Sequence, residues 1–150
     1  LLRRTSELTG LRIFYVMGHS YGAVSSHWLA VRLGEELAGS IHSATQSQAG
    51  GGPYTAYAAS MGRFVHAQAK VPYVYLHHQN DLCRFTPYSF AAKNALPDKL
   101  MTVVGGNRWS EPCGKASYHS YSERTDPLAQ ALIAFINRAE VTAVIKGPGD

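Results

Sequence analysis

The stretch VMGHSYGAV, residues 16–24, decides how this chain reads. An apolar run from Leu11 to Met17 ends in Gly18-His19-Ser20-Tyr21-Gly22, and a helix-like pattern begins at once. A serine with glycine two positions away on each side, between a strand and a helix, is the pattern of a nucleophile elbow. So tight a turn calls for small residues at Gly18 and Gly22, and holds Ser20 in a strained conformation with its hydroxyl exposed. The next helix brings its first N–H groups, and the positive end of its dipole, beside the serine. The Tyr21 N–H is therefore expected to be one donor to an oxyanion. The competing reading is a glycine-rich nucleotide-binding turn, but the stretch has neither the G-x-G-x-x-G spacing nor a P-loop lysine.

Outward from the elbow, the pattern alternates strand and helix. Leu11–Met17 reads as a buried strand, and Ala23–Leu37 as a helix with Val24, Trp28 and Val31 on one face. Ala38–Ser43 is a second strand. The loop QSQAGGGPY comes next, and Tyr54–Ala69 is expected to be helical. Lys70–His78 is a third strand, Thr86–Leu96 a helix with Pro87 in its first turn, and Lys99–Gly105 a fourth strand. After an irregular stretch, Asp126–Arg138 reads as a helix with Asp126 as its N-cap; the tail KGPGD is not expected to be ordered. Repeated strand–helix units indicate an α/β fold: a parallel sheet of about four strands flanked by helices. The domain is expected over residues 1–139, with 140–150 as a tail.

Composition sets outer limits. At 150 residues, 45% hydrophobic and 16% charged, the chain is one globular domain's worth. The net charge of +4 is spread out, and no basic stripe interleaved with aromatics appears, so nucleic acid is not an expected partner. No apolar run is long enough to span a membrane. The sequence carries no signal of oligomeric state.

A serine hydroxyl needs a base to take its proton, and the base needs an acid to orient it. In the elbow architecture the order along the chain is serine, acid, histidine. Asp81 comes directly after the third strand and is the expected acid. Asp98 precedes a strand, Glu111 lies in the long loop, and Asp126 is better explained as a cap. Of the seven histidines, only His119 lies between the last strand and the final helix, so it is the expected base. His19, inside the elbow, is expected to point away from the base. His27 and His66 fall on helices as surface or packing residues, and His42 lies in a strand. His77-His78 with Asp81 invites a metal reading, but adjacent strand residues face opposite sides of a sheet. No metal site is assigned.

The elbow, Ser20, Asp81 and His119 together resemble the α/β-hydrolase superfamily over residues 1 to about 139. The segments HHQNDLC and PC…YHSY are similar to exported bacterial serine hydrolases of the esterase and dienelactone-hydrolase-like kind. That resemblance implies hydrolysis of an ester or related acyl bond in a small molecule, through an acyl-enzyme and without a cofactor. Many relatives have glycine after the catalytic histidine; here it is Ser120. The family's elbow strand is central, with further strands before it and a second oxyanion N–H from an earlier loop. Here that strand begins near residue 11. The chain is thus expected to be the C-terminal part of such a domain, poorly active alone; the alternative is a minimal version of the fold. Only about 25 residues, Gln46–Lys70, lie between the second and third strands, so the site is expected to be open. Pro53, Tyr54, Tyr57 and Met61 are possible lining residues, and His19, Tyr54 and Tyr57 are the expected substrate contacts.

Cys83 lies two residues after Asp81, and Cys113 six before His119. If Asp81 and His119 meet, a disulfide tying their loops is expected. That would imply an oxidising compartment, periplasmic or secreted. Two buried free thiols are the other reading. A non-catalytic binding protein on the same fold, and an acyltransferase using the same triad, remain as alternatives to a hydrolase.

Overall fold

The computed structural model describes residues 1–47, 70–137, 141–148 and 150. Helix α1 (Leu2–Thr9) precedes β1 (Tyr15–His19), α2 (Tyr21–Leu33) and β2 (Gly39–Ser43). Then come β3 (Tyr73–His78), α3 (Tyr88–Asn94), β4 (Leu100–Val103), α4 (Thr125–Ile136) and β5 (Val144–Ile145). The five strands form one sheet in the order β1-β2-β3-β4-β5. Every neighbouring pair is parallel.

Strand alternation divides the core between the two faces of the sheet. Ile41, Val74, Leu76, Met101 and Val103 pack with Leu128, Ala131 and Phe135 of α4. Tyr73 and Tyr75, on the opposite face of β3, pack with Val24 of α2. All six residues of β3 are buried, as expected of a parallel strand covered on both sides. The sheet is thus sandwiched between helices, and its carboxyl edge carries the loops after β1, β3 and β4.

Several sequence expectations need correction. β1 begins at Tyr15 and runs on to His19, because Leu11 and Ile13 stand exposed (58% and 73%) on the connection from α1. The α2 face that packs is Ala23, Val24, Ser26, His27 and Ala30, while Trp28 is 40% exposed. A stripe of small residues and one histidine lets this helix lie close on the sheet, so the large apolar residues were a poor guide to its buried face. α2 also starts at Tyr21 and passes into a 3-10 turn at Gly34–Glu36. Pro87 stands at the cap position before α3, not inside its first turn. Asp126 lies in the first turn of α4, and Arg124 occupies the N-cap position.

A fifth strand, β5, lies in the segment read as a tail. Asp150 anchors the residues beyond that strand, accepting hydrogen bonds from Arg124 Nη2 at 2.6 Å and from the Gly147 N–H at 2.9 Å. The expected helix Tyr54–Ala69 lies outside the described residues. Among the described residues, no helix is long and apolar enough to cross a membrane.

β1 is an edge strand, paired with β2 on one side only among the described residues. Beside it lies a cavity of about 730 Å³ under α1, with Leu2, Phe14, Val16, Leu29, Leu33 and Leu37 in its wall. None of Ser20, Asp81 and His119 lines it.

Candidate active site

Ser20 sits at the junction of β1 and α2 with φ 55° and ψ −120°. A positive φ is uncommon for a residue with a Cβ, and such strain gathers at functional sites. Gly18 makes the turn possible: a Cβ there would lie 2.0 Å from the Gly22 carbonyl oxygen and 2.8 Å from the Ala23 nitrogen. A Cβ on Gly22 would meet nothing within 4 Å, so the demand for smallness falls on Gly18 alone. Two backbone hydrogen bonds tie the turn to the loop after β2: Ser20 N–H to Ser43 O (2.8 Å) and Gln46 N–H to Ser20 O (3.4 Å). Tyr21 opens α2, among the N–H groups at the helix start.

Asp81 lies in the turn after β3, buried, with both carboxylate oxygens engaged. Oδ1 accepts the Cys83 N–H at 2.8 Å. Oδ2 accepts from Thr86 Oγ1 at 2.9 Å and from His119 Nδ1 at 3.0 Å. His77 Nε2 stands 3.3 Å from the same oxygen and donates to the Thr86 carbonyl at 2.7 Å. Burial alone would raise the Asp81 pKa. Hydrogen bonds from His119, His77 and the Cys83 N–H outweigh it and hold the carboxyl well below the usual range. Asp81 is therefore an acceptor only, so His119 donates to it from Nδ1. Thr86 Oγ1, 3.0 Å from His119 Nδ1, braces the same contact.

His119 lies in a short 3-10 turn, Tyr118–Ser120, and is buried. The disulfide Cys83–Cys113 joins the loop of Asp81 to the loop of His119, with Cα atoms 4.7 Å apart. There are no free cysteines.

His19 does not point away from the base. Its ring lies against that of His119, with centroids 4.7 Å apart and planes tilted by 49°. Its Nδ1 is 2.9 Å from Ser43 Oγ. Partial shielding of the ring from water, then the nearby His119, lower its pKa to about 4, against a partial upward pull from Asp81. Among the described residues, no hydrogen bond joins Ser20 Oγ to His119. Asp81 and His119 are joined, and the His19 ring lies beside His119.

The remaining candidates fall elsewhere. Tyr54 and Tyr57, with Pro53, Met61 and His66, lie outside the described residues. Glu111 is exposed, and Asp98 is 3.4 Å from Lys99 before β4. His77 and His78 point to opposite sides of β3. His78 Nε2 donates to Gly105 O at 2.9 Å, its Nδ1 accepts the Asn80 N–H at 3.0 Å, and its ring stacks on Tyr118. His27, on α2, and His42, on β2, are buried between that helix and the sheet, with His42 between Ser26 Oγ (2.9 Å) and Ser40 Oγ (3.1 Å). Sequence reasoning missed Thr86, Ser43 and Tyr121, and weighed His77 beside Asp81 only as a metal ligand. Of the three, only Thr86, five residues after Asp81 and just before Pro87, left a local signal.

No family model matches the chain, and no curated protein matches it. Among solved structures, the chain is similar to the crystal structure of a 2,6-dihydroxy-pseudo-oxynicotine hydrolase. The identity is 20% and the TM-score 0.50, over 91% of this chain and 44% of that one. The chain thus spans less than half the length of that structure. The likeness is one of fold: a parallel five-stranded sheet flanked by helices, consistent with a partial α/β-hydrolase fold.

Proposed function

We propose that the chain belongs to a serine hydrolase that cleaves an ester or related acyl bond of a small molecule through an acyl-enzyme. Ser20 is the nucleophile, His119 the general base and Asp81 its orienting acid. The observation that carries this reading is the Asp81–His119 pair. It turns the Nδ1 proton of His119 toward Asp81, which would leave Nε2 of the neutral ring to accept the serine proton; the positive φ of Ser20 at the turn between β1 and α2 supports the nucleophile's part of the reading. The hydrolase among the structural neighbours is in keeping with it.

The chemistry runs in two halves. Ser20 Oγ attacks the carbonyl carbon as its proton passes to His119 Nε2. Asp81 stabilises the resulting imidazolium, and the Tyr21 N–H is one donor to the oxyanion. Collapse expels the alcohol, which takes the proton back from His119. Water then attacks the acyl-serine by the same route in reverse; an acyltransferase would admit an alcohol at that point instead. No cofactor takes part in these steps. The open edge of β1 and the cavity beside it, whose wall mixes aliphatic side chains with Arg3, Arg4, Glu7 and Glu36, leave room for further strands of the same domain, which would bring a second oxyanion donor. The disulfide fits an oxidising compartment, periplasmic or secreted.

Full-length protein incubated with p-nitrophenyl acetate should release p-nitrophenol and carry a transient acetyl group on Ser20, seen by mass spectrometry. Ser20→Ala and His119→Ala should abolish both. Asp81→Asn, which disturbs the tautomer, should lower kcat by up to about 10⁴. Unchanged turnover in Ser20→Ala would sink the proposal, and tight ester binding with no acylation would favour a binding protein.

A further inference from the structure

His19 is the group at the elbow that the triad leaves unused, and a chain of hydrogen bonds fixes its chemistry. Tyr121 Oη is 2.9 Å from the Leu76 carbonyl, which can only accept, so the tyrosine proton goes there. Ser43 Oγ, 2.8 Å from Tyr121 Oη, must then donate to it. The Ser43 oxygen is left to accept, and His19 Nδ1, 2.9 Å away, must be the donor. The polarity runs one way, from the carbonyl back to the imidazole. It leaves His19 Nε2 as a lone-pair acceptor with no hydrogen-bond partner among the described residues, on a residue exposed to solvent.

His19 is not a rival base. A serine hydroxyl stands behind its Nδ1 where His119 has the Asp81 carboxylate. Its depressed pKa, about 4, keeps the ring neutral at ordinary pH. The charged and titratable groups facing it are His119, Asp81 and His77, with Tyr121 at the far end of the chain.

Position indicates what that acceptor meets. In the hydrolase mechanism, His119 Nε2 hands its proton to the leaving alcohol. The His19 ring packs on the His119 ring and adjoins Ser20 in the chain. A substituent on the leaving alcohol therefore falls next to His19. We propose that His19 is a specificity-determining residue, selecting esters whose leaving alcohol carries a second hydrogen-bond donor, a hydroxyl or N–H, within about two carbons of the ester oxygen. Diol and polyol monoesters belong to this class. The inference rests on the hydrolase reading.

The test is a matched pair of substrates, 2-hydroxyethyl butanoate and 2-methoxyethyl butanoate. They have the same acyl group and similar leaving alcohols, but only the first has a donor. Wild-type full-length protein should show kcat/KM about three- to tenfold higher for the hydroxyethyl ester, as one neutral hydrogen bond allows. His19→Phe keeps a flat ring without an acceptor and should bring the ratio near unity. His19→Gln, which restores a carbonyl acceptor, should recover part of it. Fluorophosphonate labelling of Ser20 in each protein reports separately on the nucleophile. Wild type that takes no label removes the hydrolase reading itself. A preference that persists in labelled His19→Phe, or its absence in labelled wild type, overturns the role of His19 alone.

Discussion

Ser20 can hold its positive φ because Gly18 lets the backbone of Gly22 and Ala23 fold back to within contact distance. Gly18→Ala drives a methyl into backbone that cannot move aside, and should cost about 1–3 kcal/mol, with loss of the elbow geometry. Gly22→Ala places its methyl in open space within a helical turn. It should be neutral, or stabilising by up to about 1 kcal/mol. Thermal unfolding of the two variants checks the contrast, and equal destabilisation would contradict it. The sequence motif marked both glycines alike; only the contact distances separate them. That Asp81 and His119 would meet was legible because their order and their places after strands are tied to topology. Thr86 and His77 lie within five residues of Asp81, so what hid them was the absence of a motif and not distance, whereas the Ser43–Tyr121 contact joins residues 78 apart.

At the scale of elements, the loops after β3 and β4 are brought together twice, by the Asp81–His119 contact and by the disulfide between Cys83 and Cys113. The cross-link spans a sequence separation of 30, which corresponds to about 3–4 kcal/mol in the chain-entropy model. Replacing both cysteines by serine should lower the melting temperature and reduce kcat more than it raises KM, because Asp81 and His119 would lose their shared tether. A double variant with wild-type stability and kcat would show that the hydrogen bonds suffice. Strand and helix identities were readable from apolar runs, but boundaries shifted where burial and hydropathy part company. Leu11 and Ile13 are apolar yet exposed, whereas His27 is polar yet buried. β5 is only two residues long, too short for any periodicity to register.

Across the whole molecule, neutral buried histidines make the fold sensitive to acid. His42, lodged between α2 and the sheet, has its pKa lowered from 6.5 to about 3, by burial first and by His27 second. The unfolded chain protonates near 6.5, while the folded one resists until about 3. Stability is therefore complete above pH 6.5 and falls steadily as pH drops towards 3. The loss at this one site is on the order of 3–5 kcal/mol at the acid end. His19, whose residue is exposed to solvent, adds a smaller amount in the same direction, down to about 4. Melting temperature measured from about pH 8 to about pH 3.5 should decline once the unfolded chain begins to protonate, and His42→Gln should flatten the decline; a flat wild-type profile would contradict it. The central claim, that Ser20 is a nucleophile activated by His119 and Asp81, is tested most directly by the site of fluorophosphonate attachment. Intact-mass and peptide mass spectrometry of the full-length protein should find one adduct, on Ser20, that disappears in Ser20→Ala and is strongly slowed in His119→Ala. No adduct on Ser20, or labelling at the wild-type rate in His119→Ala, would contradict it.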